Sequence, residues 1–430
     1  MKSIDTSNLK GTEDFFGKEQ IIRNYIIDTL KNIFNNYGYL PLDTSILNNY
    51  DLLAYKYNDG AEILKEIYKL TDQGNRELAL RYDLTIPFCK FIANQKELRL
   101  PLRRYEIGKV FRNGPVKLGR CREFYQCDCD IVGIDGTDIE VEQMIMVIEA
   151  FRRLGIDIIV KWNNRKLMTS LIKYAGINID TDMVIGVIDK KEKMSLDNLY
   201  KEFESIGISN DMASKLMNLF SMDISEYNNL DYYDELFREA LIEINDINNK
   251  IISLGLTDNT AFTPTLARGL SIYTGIVFEF YDKLERLTCS LGGGGRYNKI
   301  ITDFINDGNE YPAIGLSFGL EPIYTILKSN LEENSLYDVY IIPMEEDYKV
   351  LELATILRNN NISTIVEYSK RKLKKCFEFA DKNNIKYVIV LGSRELETGV
   401  YTIKDMEKQE QYEFNLEELL EYLKKTRMKS

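Results

Sequence analysis

The stretch Leu102–Asp130, LRRYEIGKVFRNGPVKLGRCREFYQCDCD, limits the possible fold more than any other part of the chain. Apolar and charged residues nearly alternate on both sides of Asn113-Gly114-Pro115, where Gly-Pro punctuates a turn. The pattern predicts two antiparallel strands joined by a basic hairpin loop. From Arg99 to Arg122 there are eight basic residues (Arg99, Arg103, Arg104, Lys109, Arg112, Lys117, Arg120, Arg122) against one acid, Glu106, in a chain of net charge -12. A basic strand pair on an acidic protein needs an anionic ligand, or it forms a solvated sheet face.

The 430 residues suffice for two or three domains, and with 44% hydrophobic and 28% charged residues they read as an ordinary globular chain. The N-terminus, MKSIDTSNLKGTEDF, is polar, and no apolar run approaches membrane-spanning length, which predicts a cytoplasmic protein with no membrane partner. The six cysteines are scattered; only Cys127 and Cys129 are close, and strand spacing sends both to one face as small apolar residues. No histidine occurs at all, so imidazole catalysis and imidazole metal ligation are excluded. Overall acidity argues against indiscriminate nucleic-acid binding but allows a local basic docking surface.

Along the chain, Ile22, Tyr25, Ile26, Leu30, Ile33 and Phe34 are spaced to form one buried helix face, and Gly38 suits its end. A strand is expected over 39–47, then a hairpin turning at Gln73-Gly74-Asn75 and a helix opening near Pro87. Asp83 and Thr85, two apart at a strand end, point to one face. Thr137–Glu140 has a capping-box pattern leading a helix to Leu154. Residues 166–256 turn helical and poor in strand signal, an apparent insertion. Strand patterning then returns, running into Gly292–Gly295, where the backbone can approach a ligand closely but no phosphate-loop pattern is present. After a polar boundary near 328–336, strand and helix alternate, which predicts a small separate α/β domain. Its second helix carries Lys370, Arg371, Lys372, Lys374 and Lys375, a solvated face or a phosphate contact.

These pieces resemble the class II aminoacyl-tRNA synthetases, and within them the histidyl-tRNA synthetase family, from about Lys10 to the C-terminus. The resemblance is carried by LALRYDLTIPF (Leu78–Phe88), FRNGPVKLGRCREFYQCDCDIVG (Phe111–Gly133), LARGLSIYTG (Leu266–Gly275), GGGRYN (Gly293–Asn298) and GSRELETGVYTIKDM (Gly392–Met406). It implies an α+β fold: an antiparallel catalytic sheet flanked by helices, split as 1–165 and 257–330 around a helical insertion at 166–256, with an anticodon-binding domain at 337–430. The implied activity is the use of ATP to activate L-histidine, followed by transfer to tRNA(His) by a homodimer. Mg²⁺ would accompany the ATP phosphates; no protein-held metal site is implied.

Carried over by position, Arg112 would hold the ATP α-phosphate and the histidine carboxylate, with Arg268 as a second cation. Gln126 and Asp83 would receive the α-amino group, with Leu84 and Thr85 lining the same pocket. Asp130 and Tyr273 would read the imidazole beside Ile272, and Tyr297 would close the pocket. Glu123 would lie by the adenine, and Lys117 and Arg120 would reach ATP or the tRNA acceptor end. A reaction of this kind requires cations where phosphate charge develops and no imidazole base. The chain departs from the family pattern at Ser45, where a proline is expected, at Ser271 and Ile272, where Asp-Tyr is usual, and at Pro322, where an arginine usually grips the ATP γ-phosphate. The alternative reading is a synthetase-like regulatory subunit that senses histidine, such as the partner of ATP phosphoribosyltransferase.

Overall fold

The computed structural model describes residues 4–55, 62–95, 97, 99–116, 119–191, 194–267, 272–329, 336–345 and 348–427. The chain divides into two compact units, 1–15 with 19–328 and 16–18 with 329–430. In chain order the first unit carries β1 (Leu40–Pro41), β2 (Leu47–Asn49), β3 (Lys69–Thr71), β4 (Glu77–Leu80), β5 (Leu102–Phe111), β6 (Glu123–Val132), β7 (Ile158–Asn164), β8 (Thr260–Phe262), β9 (Ile276–Asp282), β10 (Gly292–Arg296) and β11 (Ala313–Gly319).

Eight of these form one sheet in the order β1-β5-β6-β11-β10-β9-β7-β8. The six central strands are antiparallel to their neighbours, while β1 and β8 join the edges in parallel. The alternation in β5 and β6 divides their side chains between two faces. Tyr105 and Ile107, opposite Cys129 and Cys127, turn toward the helices Lys18–Asn36 and Thr137–Arg153. There Phe34, Phe151, Phe280 and Phe318 fill a continuous core with the two buried cysteines. Arg104, Glu106 and Gly108, opposite Asp130, Asp128 and Gln126, turn the other way and build the site.

Two local expectations fail for physical reasons. The single strand expected over 39–47 is two short ones in different sheets, β1 and β2, because the intervening turn bends to let the Thr44 backbone N–H donate to Glu106 at 2.9 Å. Glu140 forms no capping box; the helix begins after Gly136, and Glu140 is buried, accepting from Arg296 Nε at 2.7 Å. The four glycines of β10 serve the sheet. A Cβ on Gly294 would lie 2.0 Å from the Gly315 carbonyl oxygen, and one on Gly292 would lie 2.3 Å from that of Ser317.

Between β7 and β8 the described residues hold six α-helices and no strand, Arg165–Tyr174 through Glu235–Ser253. The second unit carries β12 (Val339–Pro343), β13 (Thr364–Val366), β14 (Tyr387–Leu391), β15 (Tyr401–Asp405) and β16 (Glu410–Phe414) in the order β13-β12-β14-β15-β16. Its first three strands are parallel and the last two close as a hairpin. Their near-continuous apolar runs pack against the helices Tyr348–Asn359 and Leu416–Arg427.

Candidate active site

The basic stretch that opened the sequence reading is divided in three by the fold. Arg103 and Lys109 leave the site face and pair with Glu142 and Glu123. Arg104 is buried at 2% exposure. Arg112 and Arg120 line a cleft of about 1080 Å³. Three of the eight cations, Arg103, Arg104 and Lys109, are therefore paired with the protein's own acids. Lys117 lies outside the described residues.

At the inner end of the cleft the charges form one network. Arg104 Nη2 lies 2.7 Å from Asp130 Oδ2, though off the hydrogen-bond direction. Its guanidinium sits 4.1 Å above the Phe88 ring. Tyr297 donates its hydroxyl to Asp130 Oδ1. Gly315 makes this possible: a Cβ there would stand 1.9 Å from Asp130 Oδ1. One layer below, Glu106 Oε1 accepts from Thr44 Oγ1 and from Arg81 Nη1, each at 2.8 Å. Gly108 leaves room for the Arg81 guanidinium, which would lie 2.2 Å from an added Cβ. Removing one partner from so deeply buried a network typically costs about 3–5 kcal/mol.

Burial raises the Asp130 carboxyl above the usual carboxylate range, with Arg104 and Tyr297 opposing it. It pushes Asp128 up to about 7; Arg104 opposes, and Asp130 adds to the rise. Burial works against the charge on Arg104, but Asp130, Asp128 and Glu106 together outweigh it and keep the guanidinium protonated.

Arg112 stands where β5 ends. Its Nε donates to the Tyr82 carbonyl at 2.9 Å and its Nη2 to Gln126 Oε1 at 3.4 Å, while the guanidinium lies 5.1 Å from the Phe124 ring centre. Gln126 in turn donates to Ser317 Oγ at 3.1 Å. Asp83 caps the helix Thr85–Ala93 by accepting from the Ile86 N–H at 3.1 Å. Leu84 is buried beneath it, and its carbonyl accepts from Arg104 at 3.4 Å. Thr85, Ile272, Tyr273 and Tyr297 complete the inner walls.

The outer end is built differently. Arg120 is half-exposed and reaches Glu66 at 3.5 Å. Pro322, in the first turn of the helix Leu320–Lys328, lines the cleft with Gly119 and Cys289. The residue before it, Glu321, is buried and chelates Arg23, whose guanidinium also lies 3.8 Å from the Phe15 ring centre.

Of the residues singled out from sequence, Asp83, Thr85, Arg112, Arg120, Gln126, Asp130, Ile272, Tyr273 and Tyr297 meet in this cleft. Leu84 supports it from below. Arg268 and Ser271 lie outside the described residues. Glu123 does not join the cleft lining. It falls on the other alternation of β6 from Gln126 and Asp130, opposite Phe111, and is engaged by Lys109. Sequence reading missed Arg104 and Asp128. The signal for Asp128 was available, because it is two residues from each of Gln126 and Asp130; Arg104 is placed only by the strand register that sets it opposite Asp130.

Residues 11–323 match the family model described as histidyl-tRNA synthetase. The chain belongs to the histidyl-tRNA synthetase family. Residues 338–426 separately match an anticodon-binding domain. Histidine--tRNA ligase 1 of Bacillus cereus is 42% identical over 428 residues, covering 98% of this chain and all of that protein. The crystal structure of histidyl-tRNA synthetase from Nostoc sp. PCC 7120 superposes with a TM-score of 0.84 at 26% identity, over 99% of this chain and 100% of that one. A Bacillus halodurans structure titled as an ATP phosphoribosyltransferase regulatory subunit/histidyl-tRNA synthetase shares the fold, with a TM-score of 0.76 at 23% identity over 91% of this chain and 99% of that one. The class II synthetase fold is thus established, with its mixed sheet flanked by helices and its anticodon-binding domain.

Proposed function

We propose that the chain activates L-histidine with ATP to histidyl-adenylate and transfers the histidyl group to the 3' end of tRNA(His). The observation that carries this reading is the convergence of a cation (Arg112), amide and carboxylate acceptors (Gln126, Asp83, Asp130) and two aromatic hydroxyls (Tyr273, Tyr297) on one wall of one cleft.

In the first step the histidine carboxylate oxygen bonds to the α-phosphorus of ATP as the α–β bridging bond breaks, and pyrophosphate leaves. Negative charge builds on a crowded phosphoryl group, and a guanidinium fixed beforehand stabilises it without reorganising. Arg112 is held for that task by Tyr82 and Gln126, and Arg268 is its partner cation in this reading. The planar fork of Arg112 suits two oxygens at once, one from the carboxylate and one from the phosphate. In the second step a ribose hydroxyl of the tRNA terminus attacks the acyl carbon and AMP leaves. The hydroxyl proton passes to a phosphate oxygen, so a chain without histidine runs the cycle. Mg²⁺ supplies charge neutralisation on the outer phosphates. Such an ion would bind largely through phosphate and water.

The inner end selects the side chain. An imidazole both donates and accepts, and a site whose buried polar groups it satisfies rejects analogues that leave them unpaired by about 10⁴-fold or more. Asp130, fixed by Arg104 and Tyr297, and the nearby Tyr273 fill that role here, with Ile272 against the ring. Arg120 meets the nucleotide at the outer end. Residues 1–165 and 257–330 work as the catalytic domain, 166–256 as a helical insertion, and 337–430 as the anticodon-binding domain. The enzyme works as a cytoplasmic homodimer; exposed Leu47 and Leu70 on the small β2-β4-β3 sheet offer apolar area for self-association.

The regulatory-subunit reading shares the fold, so fold alone does not separate the two. The anticodon-binding match at 338–426 and the full-length identity to a named ligase favour the enzyme. Charging decides between them: purified protein, ATP and labelled histidine should yield acid-precipitable histidyl-tRNA from a tRNA(His) transcript. Histidine binding without charging would support the regulatory role instead.

A further inference from the structure

We propose that Asp128 accepts an N–H of the substrate's α-ammonium group, making it a third acceptor for that cation beside Asp83 and Gln126. The proposal rests on the reading of this cleft as a histidine site.

Strand alternation places Gln126, Asp128 and Asp130 in a row on the wall of the cleft, with Asp128 in the middle. Asp128 is 5% exposed, and among the described residues its Oδ1 receives no hydrogen bond. A buried carboxylate oxygen with no donor is costly, and a ligand that supplies the donor removes the cost. The neighbouring acids are already paired with a cation or a backbone donor, although among the described residues Asp130 Oδ2 and Glu106 Oε2 likewise lack an aligned donor. Asp130 is held by Arg104 and Tyr297. Glu106 Oε1 serves Thr44 and Arg81, and its Oε2 lies 3.7 Å from Arg104, away from the cleft lining. Asp83 has one oxygen on the Ile86 N–H.

The missing donor has a definite chemistry. An ammonium carries three N–H donors and no acceptor. Asp83 and Gln126 account for two; Gln126 gives its own N–H to Ser317, which leaves its carbonyl oxygen facing Arg112 and the cleft. Asp128, flanking Gln126 on the same wall, supplies the third and brings the charge that a buried cation requires. The groups facing Asp128 are Arg104 and Glu106 from β5, Ser317 from β11, Asp130 from its own strand and Asp83 from the segment before the helix Thr85–Ala93. Burial pushes its carboxyl up to about 7, so the empty site is partly protonated at neutral pH. An ammonium arriving beside it favours the ionised form and expels the proton.

Two probes separate this role from a structural one: histidine, and imidazolepropionate, which is histidine without its amino group. In pyrophosphate exchange, Asp128→Asn should raise the KM for histidine about tenfold or more and leave the KM for ATP within about twofold, the scatter typical of a change that touches no nucleotide contact. The inhibition constant of imidazolepropionate should be unchanged. Equal weakening of both probes, or an unchanged histidine KM, would overturn the assignment. On the unaltered protein, calorimetry at pH 7 in two buffers of different ionisation heat should show, after subtracting the protons lost by each ligand's own imidazole, that histidine releases more protons from the protein than imidazolepropionate does. Equal release would overturn the assignment even if the variant failed to fold. If the unaltered protein shows no exchange at all, the enzymatic reading fails; the calorimetric comparison still decides the role of Asp128.

Discussion

The two ends of the cleft are built on opposite principles. At the inner end, Arg104, Asp130, Tyr297 and Glu106 are buried and bonded to one another, and glycines at 108 and 315 are required for the groups to fit. At the outer end, Arg120 is half in solvent and Pro322 replaces a cation with an apolar ring. The inner end is preorganised, so its selectivity comes from the cost of leaving fixed polar groups unpaired. In the proposed reaction the outer end would face a ligand that carries its own charge, for which loose, solvent-screened cations suffice. The proposed function therefore assigns discrimination among amino acids to the rigid half of the site and ATP binding to groups that tolerate change.

The comparison can be broken at several points. The largest effect is expected at the junction of the two ends: Arg112→Ala should lower exchange by about 10²–10³-fold with little change in the melting temperature, since among the described residues the Arg112 side chain hydrogen-bonds to the Tyr82 carbonyl and Gln126 alone. A loss confined to the KM for ATP would assign Arg112 to the outer end alone. Next comes Gly315→Ala, whose added methyl group would stand 1.9 Å from Asp130 Oδ1 and must drive that carboxylate off Tyr297. The KM for histidine should rise about 10- to 100-fold while the KM for ATP stays constant; parallel rises would show that the two ends are not separable.

A smaller effect of opposite sign is expected from Pro322→Arg. A restored charge-assisted contact should lower the KM for ATP up to about tenfold without touching histidine. No change would mean that the outer end already has the cations it needs.

The smallest effect is on stability. The folded-state pKa of Asp128 lies above its ordinary value of 3.8, at about 7, so the folded protein binds more protons than the unfolded chain between those limits. Stability contributed by this group therefore falls as pH rises from about 4 to 7. Asp128→Asn should raise the thermal midpoint at pH 8 and change it little at pH 4. A lower midpoint at pH 8 would show that the charge is stabilised by its surroundings even without ligand.

The two ends also differed in how far sequence revealed them. The strand pair, the turn at Gln73–Asn75 and the alternating C-terminal unit were legible because each rests on local periodicity or turn chemistry; Asn75 indeed takes φ 58°. Gln126 and Asp130 were legible through the family resemblance, and strand alternation is what sets them on one wall. What sequence could not reveal was the sorting of the basic residues, because whether an arginine meets substrate, an acid or solvent depends on pairings between strands distant in sequence. Arg104 read as one cation of a basic strand pair and is the buried partner of Asp130; Glu123, set by the adenine on family resemblance, pairs with Lys109. The break between β1 and β2 has the same origin, a tertiary bond from Thr44 to Glu106 overriding local strand preference.

The most direct test of the account is pyrophosphate exchange into ATP by the purified chain, measured with each of the standard amino acids in turn. The rigid inner end predicts exchange with histidine and none above background with the others, glutamine and asparagine included. Comparable exchange with several amino acids, or none with histidine while histidine still binds, would contradict it.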